Sequence, residues 1–152
     1  REALLSLVKS EPKTHCAVVI HEVNNYAAVA EIVENCKCAV VLEMDDVTSD
    51  RPGSPTKEMV EKALKSGFDL VACKQGISRS SAIAYLIEAQ RTSPEAAITI
   101  LDHTRQFPNE KIRKLGMDIL GPENLEADAE VIAIAAIGWT VFIGRNCYGL
   151  AI

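Results

Sequence analysis

The stretch DLVACKQGISRSSAIAY, residues 69–85, decides how this chain reads. Asp69-Leu-Val-Ala-Cys73 is a compact apolar run of strand length, closed by a polar segment containing Gly76. From Ser80 the pattern changes to the apolar spacing of a helix that continues to Arg91. A strand that turns directly into a helix is the recurring unit of parallel α/β sheets, and ligands bind beyond the carboxyl ends of their strands.

Working outward, the same alternation repeats. Ala3 to Val8 is a short amphipathic helix candidate before Pro12, and Cys16 to Ile20 is a buried strand rich in β-branched residues. Asn24 and Asn25 cap a helix running to about Glu34, followed by a second strand, Cys38 to Leu42. Met44 to Pro55 is a polar loop dense in turn residues. Thr56 to Ser66 reads as a helix closed by Gly67, and Ser93-Pro94 opens another that extends to about His103. Asn109 to Leu120 is the next, ended by Gly121-Pro122. The expected fold is α/β, a central, mostly parallel sheet flanked by helices, forming a single domain over residues 1–152.

Composition narrows the function classes. With 48% hydrophobic residues and a net charge of −5, the chain has the apolar content that folding into a core requires. Its 21 acidic residues against 16 basic ones argue against a nucleic-acid partner. Five cysteines (Cys16, Cys36, Cys38, Cys73 and Cys147) are an odd number, so at least one thiol is left over. Free thiols in a reducing, cytoplasmic setting are the expectation, with Cys16 and Cys147 as packing thiols and Cys38 starting a strand. Cys36-Lys-Cys38 lacks the second ligand pair that a zinc site needs, so no metal is expected. No leader peptide is legible near the N-terminus. Val131 to Gly144 is an uncharged run of 14 residues, short of a membrane span. It reads as a buried helix or strand able to serve as an oligomer contact.

The chemistry concentrates between Cys73 and Arg79. A five-residue loop opening a helix can turn successive N–H groups inward, and with the helix N-terminus these form an anion cradle. A thiol in such a field ionises more readily. Lys74, Gln75, Gly76, Ile77 and Ser78 supply the backbone of the cradle, and Gly76 tolerates a positive φ. Arg79 offers a planar fork for two oxygens of a tetrahedral anion. Ser80 can donate its hydroxyl to the sulfur of Cys73.

Cys73-x5-Arg79-Ser80 resembles the signature of the cysteine-dependent protein tyrosine and dual-specificity phosphatases, and Gly76 to Tyr85 resembles the dual-specificity version. Phe107-Pro-Asn-Glu-Lys-Ile-Arg113 is similar to a Pro-Asn stretch of small bacterial-type tyrosine phosphatases. The resemblance covers about residues 40–121. It implies a cofactor-free phosphomonoester hydrolase working through a phosphocysteine intermediate, with Cys73 as nucleophile and Arg79 and the loop N–H groups holding phosphate. It further implies an aspartic general acid on the loop after the preceding strand. Asp45, Asp46 and Asp50 lie there, 28, 27 and 23 residues before Cys73. Asp46 is favoured because Met-Asp-Asp-Val resembles the family register, and Asp45 and Asp50 stay open. The family places His before the nucleophile where this chain has Ala72. Lys74 resembles members acting on phosphoinositides, so the substrate class spans phosphorylated proteins, phosphoinositides and small phosphomonoesters. The rival reading is a phosphate-binding module without a working acid.

Overall fold

The computed structural model describes residues 2–65 and 67–121, together with two strands at 139–142 and 149–151. Helix α1 (Glu2–Ser10) leads into β1 (Cys16–His21). A 3-10 turn at Tyr26–Ala28 and helix α2 (Ala30–Asn35) then connect to β2 (Cys38–Glu43). Next come α3 (Lys57–Ala63), β3 (Leu70–Ala72) and α4 (Arg79–Arg91). Helices α5 (Pro94–Ile98) and α6 (Glu110–Leu120) follow, then β4 (Trp139–Phe142) and β5 (Gly149–Ala151).

The sheet runs in the order β2-β1-β3-β4-β5. β1 lies between β2 and β3 and is parallel to both, with Cys16 opposite Cys38 and Val19 opposite Ala72. β4 and β5 extend the sheet beyond β3 in antiparallel sense. The expected parallel α/β arrangement is therefore the architecture of the first three strands. Alternate strand residues point to opposite faces, which yields two cores. Val18, Ile20, Leu42 and Val71 join the core covered by α3 to α6. Ala17, Val19, Leu70 and Ala72 face Leu4 and Val8 of α1 and Ile32 of α2.

Helix α4 is buried from Arg79 to Ala89, because it lies between the sheet and the outer helices. Where α6 crosses α4, Gly116 meets Leu86: a Cβ on Gly116 would lie 2.2 Å from Leu86 Cδ1. The missing side chain is what lets the two helices approach.

Several boundaries differ from the sequence-based expectation, each for a local reason. Asn24 adopts a left-handed φ of 62° and Asn25 makes no side-chain cap, so the expected helix splits into the 3-10 turn and α2. Helix α5 stops at Ile98 rather than His103. Beyond it the carboxylate of Asp102 accepts the backbone N–H and hydroxyl of Thr104, an Asx-type turn that competes with helical bonding. His103 instead reaches the Ile98 carbonyl, at 2.9 Å.

The free-thiol reading fails for two cysteines: Cys16 and Cys38 form a disulfide. They begin adjacent parallel strands as register partners, with Cα atoms 4.6 Å apart, within the span a disulfide bridges. Cys36 and Cys73 are buried free thiols. Burial and the nearby Asp69 carboxylate push the Cys36 thiol up from its ordinary pKa, although Lys13 opposes this. Cys147 and residues 131–138 lie outside the described residues, as does the oligomer contact expected of the 131–144 run; Trp139–Phe142 within it is strand β4. Among the described residues no helix is long and apolar enough to cross a membrane.

Candidate functional site

The carboxyl ends of β1, β2 and β3 converge on one corner of the molecule. β3 ends at Ala72, Cys73 follows it, and α4 starts at Arg79, so residues 73–78 form the strand-to-helix connection. Cys73 is only 9% exposed. Its sulfur lies 3.1 Å from Ser80 Oγ and accepts the Ser80 backbone N–H at 3.4 Å. Two groups at the helix N-terminus therefore address this sulfur, where the orphan N–H groups and the helix dipole favour negative charge.

Arg79 is 5% exposed. Nη1 donates to the Met44 carbonyl just beyond β2 at 2.9 Å, and Nη2 reaches Glu22 Oε1 just beyond β1 at 3.4 Å. Its buried Nε has no partner among the described residues. A buried guanidinium at a helix N-terminus with an unused donor is a costly arrangement unless an anion can complete it. Glu22 serves as a resident counter-charge, with Lys74 Nζ 4.0 Å from the same oxygen. Burial acts to raise the Glu22 carboxyl, but its own backbone N–H together with Arg79 and Lys74 holds it below the usual carboxylate value.

The loop is braced from outside by the segment that precedes α6. Gly76 takes a positive φ of 69°, and its carbonyl accepts from Gln106 Nε2 at 3.4 Å. The Ile77 carbonyl accepts from Phe107 N at 2.9 Å and the Ser78 carbonyl from Asn109 N at 3.0 Å. Ser81 Oγ donates to the same two carbonyls. Loop carbonyls thus turn outward onto partners. Lys74 and Gln75 are exposed, whereas Gly76 is buried.

The three aspartates separate by position. Asp46 Oδ1 accepts from Ser78 Oγ and from Asn109 Nδ2, each at 2.8 Å, which ties it directly to the Cys73–Arg79 loop. Asp45 accepts the Val23 N–H at 3.2 Å and approaches Arg51 at 4.0 Å. Asp50, with 98% of its side chain exposed, pairs with Lys111 of α6. Asp45 and Asp50 therefore serve to shape the 44–55 loop, and of the three only Asp46 touches the Cys73–Arg79 connection.

Glu22 and the bracing role of Asn109 escaped the sequence reading. Glu22 had one available signal: it follows the strand beside β3, at the sheet edge where ligand-binding residues gather. Asn109 reads as a helix cap, which it is, since Oδ1 accepts the Ile112 N–H at 3.0 Å. Only the tertiary contact shows that its Nδ2 also holds Asp46.

A cleft of about 660 Å³ opens beside Cys73. Val19 and Ala72 line it from the strand ends, Ala28 and Val29 from the β1–β2 connection, and Leu4 and Ile32 from the covering helices. Ala72, the small residue before Cys73, belongs to this wall. No protein-family model matches the chain, and no curated protein or solved structure matches it, so sequence motif and site geometry carry the functional reading.

Proposed function

We propose that the protein is a phosphomonoester hydrolase acting through a phosphocysteine intermediate, like the protein tyrosine and dual-specificity phosphatases its motif resembles. The observation that carries this reading is the buried Arg79, with one donor unused, at the same helix N-terminus that addresses the Cys73 sulfur. The Cys73 thiolate attacks phosphorus while Arg79 and the loop N–H groups hold the non-bridging oxygens. The ester P–O bond breaks and the leaving oxygen takes a proton from Asp46. Water then attacks phosphorus as the Asp46 carboxylate accepts its proton. The S–P bond breaks, and phosphate and thiolate are released. Ser80, 3.1 Å from the sulfur, steadies the thiolate as it leaves.

The Asp46 contacts favour one rival. A carboxylate that accepts from both Ser78 and Asn109 can serve as a brace, which suits a phosphate-binding module without turnover. Hydrolysis of an aryl phosphate separates the two readings. The expected result is turnover by the native chain, none in Cys73→Ser, and a ~10²–10³-fold slower rate in Asp46→Asn. Full activity in Cys73→Ser refutes the mechanism, and phosphate binding with no turnover by the native chain establishes the binding module.

A further inference from the structure

The cleft beside the nucleophile carries information about the organic half of the ligand. Cys73, Lys74 and Gln75 belong both to the loop and to the cleft wall, so the cleft adjoins the loop on the side of the nucleophile. Its volume of about 660 Å³ lies in the range of sites for small organic molecules. The walls are mostly aliphatic, and small residues (Ala27, Ala28 and Ala72) keep them open.

Charge sharpens the chemistry. Glu22 and Lys74 are the ionised residues of the described lining, and they face each other at 4.0 Å. Lys74 is thereby partly neutralised, and Glu22 repels a second anion. We infer that the cleft takes the uncharged, apolar organic half of a phosphomonoester, while a ligand with further phosphates is disfavoured. The loop half of this assignment rests on the phosphatase reading; the cleft half rests on lining and charge alone.

The test pairs turnover with binding on the full chain. Phenyl phosphate and 2-naphthyl phosphate release alcohols of similar acidity, so their kcat/KM ratio reports the cleft. Benzylphosphonate and 2-naphthylmethylphosphonate, which cannot be hydrolysed, report binding by calorimetry. The expected preference for the naphthyl member is about tenfold in both series, and an inositol bisphosphate binds more weakly than either phosphonate. Ala28→Leu, which narrows the cleft, brings the ratio towards one. Ala27→Leu, at an exposed position of the same turn, gives the same reading should Ala28→Leu fail to fold. Turnover of both phosphates with equal efficiency overturns the cleft assignment and leaves the phosphatase reading standing. No turnover, with naphthyl preference in phosphonate binding that Ala28→Leu removes, leaves the cleft and overturns the phosphatase reading. Neither turnover nor a binding preference overturns both, and tighter binding of the inositol bisphosphate overturns the charge argument.

Discussion

Asn109 is where stability and the candidate site meet, and its replacement separates two roles of one side chain. The residue is 4% exposed. Its Oδ1 caps α6 through the Ile112 N–H, and its Nδ2 donates to Asp46 at 2.8 Å and to the Val47 carbonyl at 3.2 Å. In Asn109→Ala both roles vanish. Loss of the cap costs about 1 kcal/mol. A hydrogen bond to a charged group contributes about 1.5–3 kcal/mol, and the exposure of Asp46 puts this one at the lower end. The sum is about 2.5 kcal/mol, or roughly 5–10 °C in Tm for a chain of this size. Asn109→Asp keeps the capping oxygen but sets a carboxylate against Asp46, so its deficit comes from lost donation and like-charge repulsion. Asn109→Asp therefore loses stability although its cap survives, whereas Asn109→Ala loses both contributions. Thermal unfolding of the three proteins at neutral pH, followed by circular dichroism, reads this directly. An Asn109→Asp protein as stable as the native chain at neutral pH would refute the brace and reduce Asn109 to a cap.

Three further outcomes follow from the same geometry. Reducing the Cys16–Cys38 disulfide, whose ends are 22 residues apart in sequence, should lower stability by about 3 kcal/mol on the loop-entropy argument; denaturant unfolding with and without reductant, in Cys16→Ser as control, checks it, and identical midpoints would sink it. Gly116→Ala gains about 1 kcal/mol of helix propensity but forces a methyl group into Leu86, so a net loss of about 1–2 kcal/mol is expected from chemical denaturation; a stabilised variant would mean that α4 and α6 separate freely. The Glu22 carboxyl is held below its ordinary value of 4.5, so its contribution is present above that value and fades as the pH falls through its lower folded one. Tm profiles of the native chain and Glu22→Gln should therefore differ at neutral pH and converge in acid, and parallel profiles would show that the Arg79 pairing contributes nothing.

Much of the fold was legible because its signals are local. Apolar runs of strand length, the Thr56 and Ser93 caps and Gly121 after α6 each act within a few residues, and the corresponding elements appear close to where expected. One misread boundary falls where a side chain competes with the helix for backbone groups, as Asp102 does beyond α5, and the other at Asn24, whose left-handed φ interrupts the helix before α2. The Cys16–Cys38 bond could not be read from cysteine number, because pairing depends on register and register on which strands become neighbours.

The order of residues alone determined the alternation of strands and helices and the strand-to-helix connection from Cys73 to Arg79, since the backbone conformation and helix terminus that create it lie within one contiguous stretch. Tertiary structure decided what surrounds that connection. Glu22, Met44, Asp46 and Asn109 come from four distant points in the chain. They meet because parallel strands deliver their carboxyl ends to the same edge of the sheet. Which aspartate touches the loop, which carboxylate answers the buried arginine and where the apolar cleft opens all follow from that convergence, and short-range sequence pattern does not encode it.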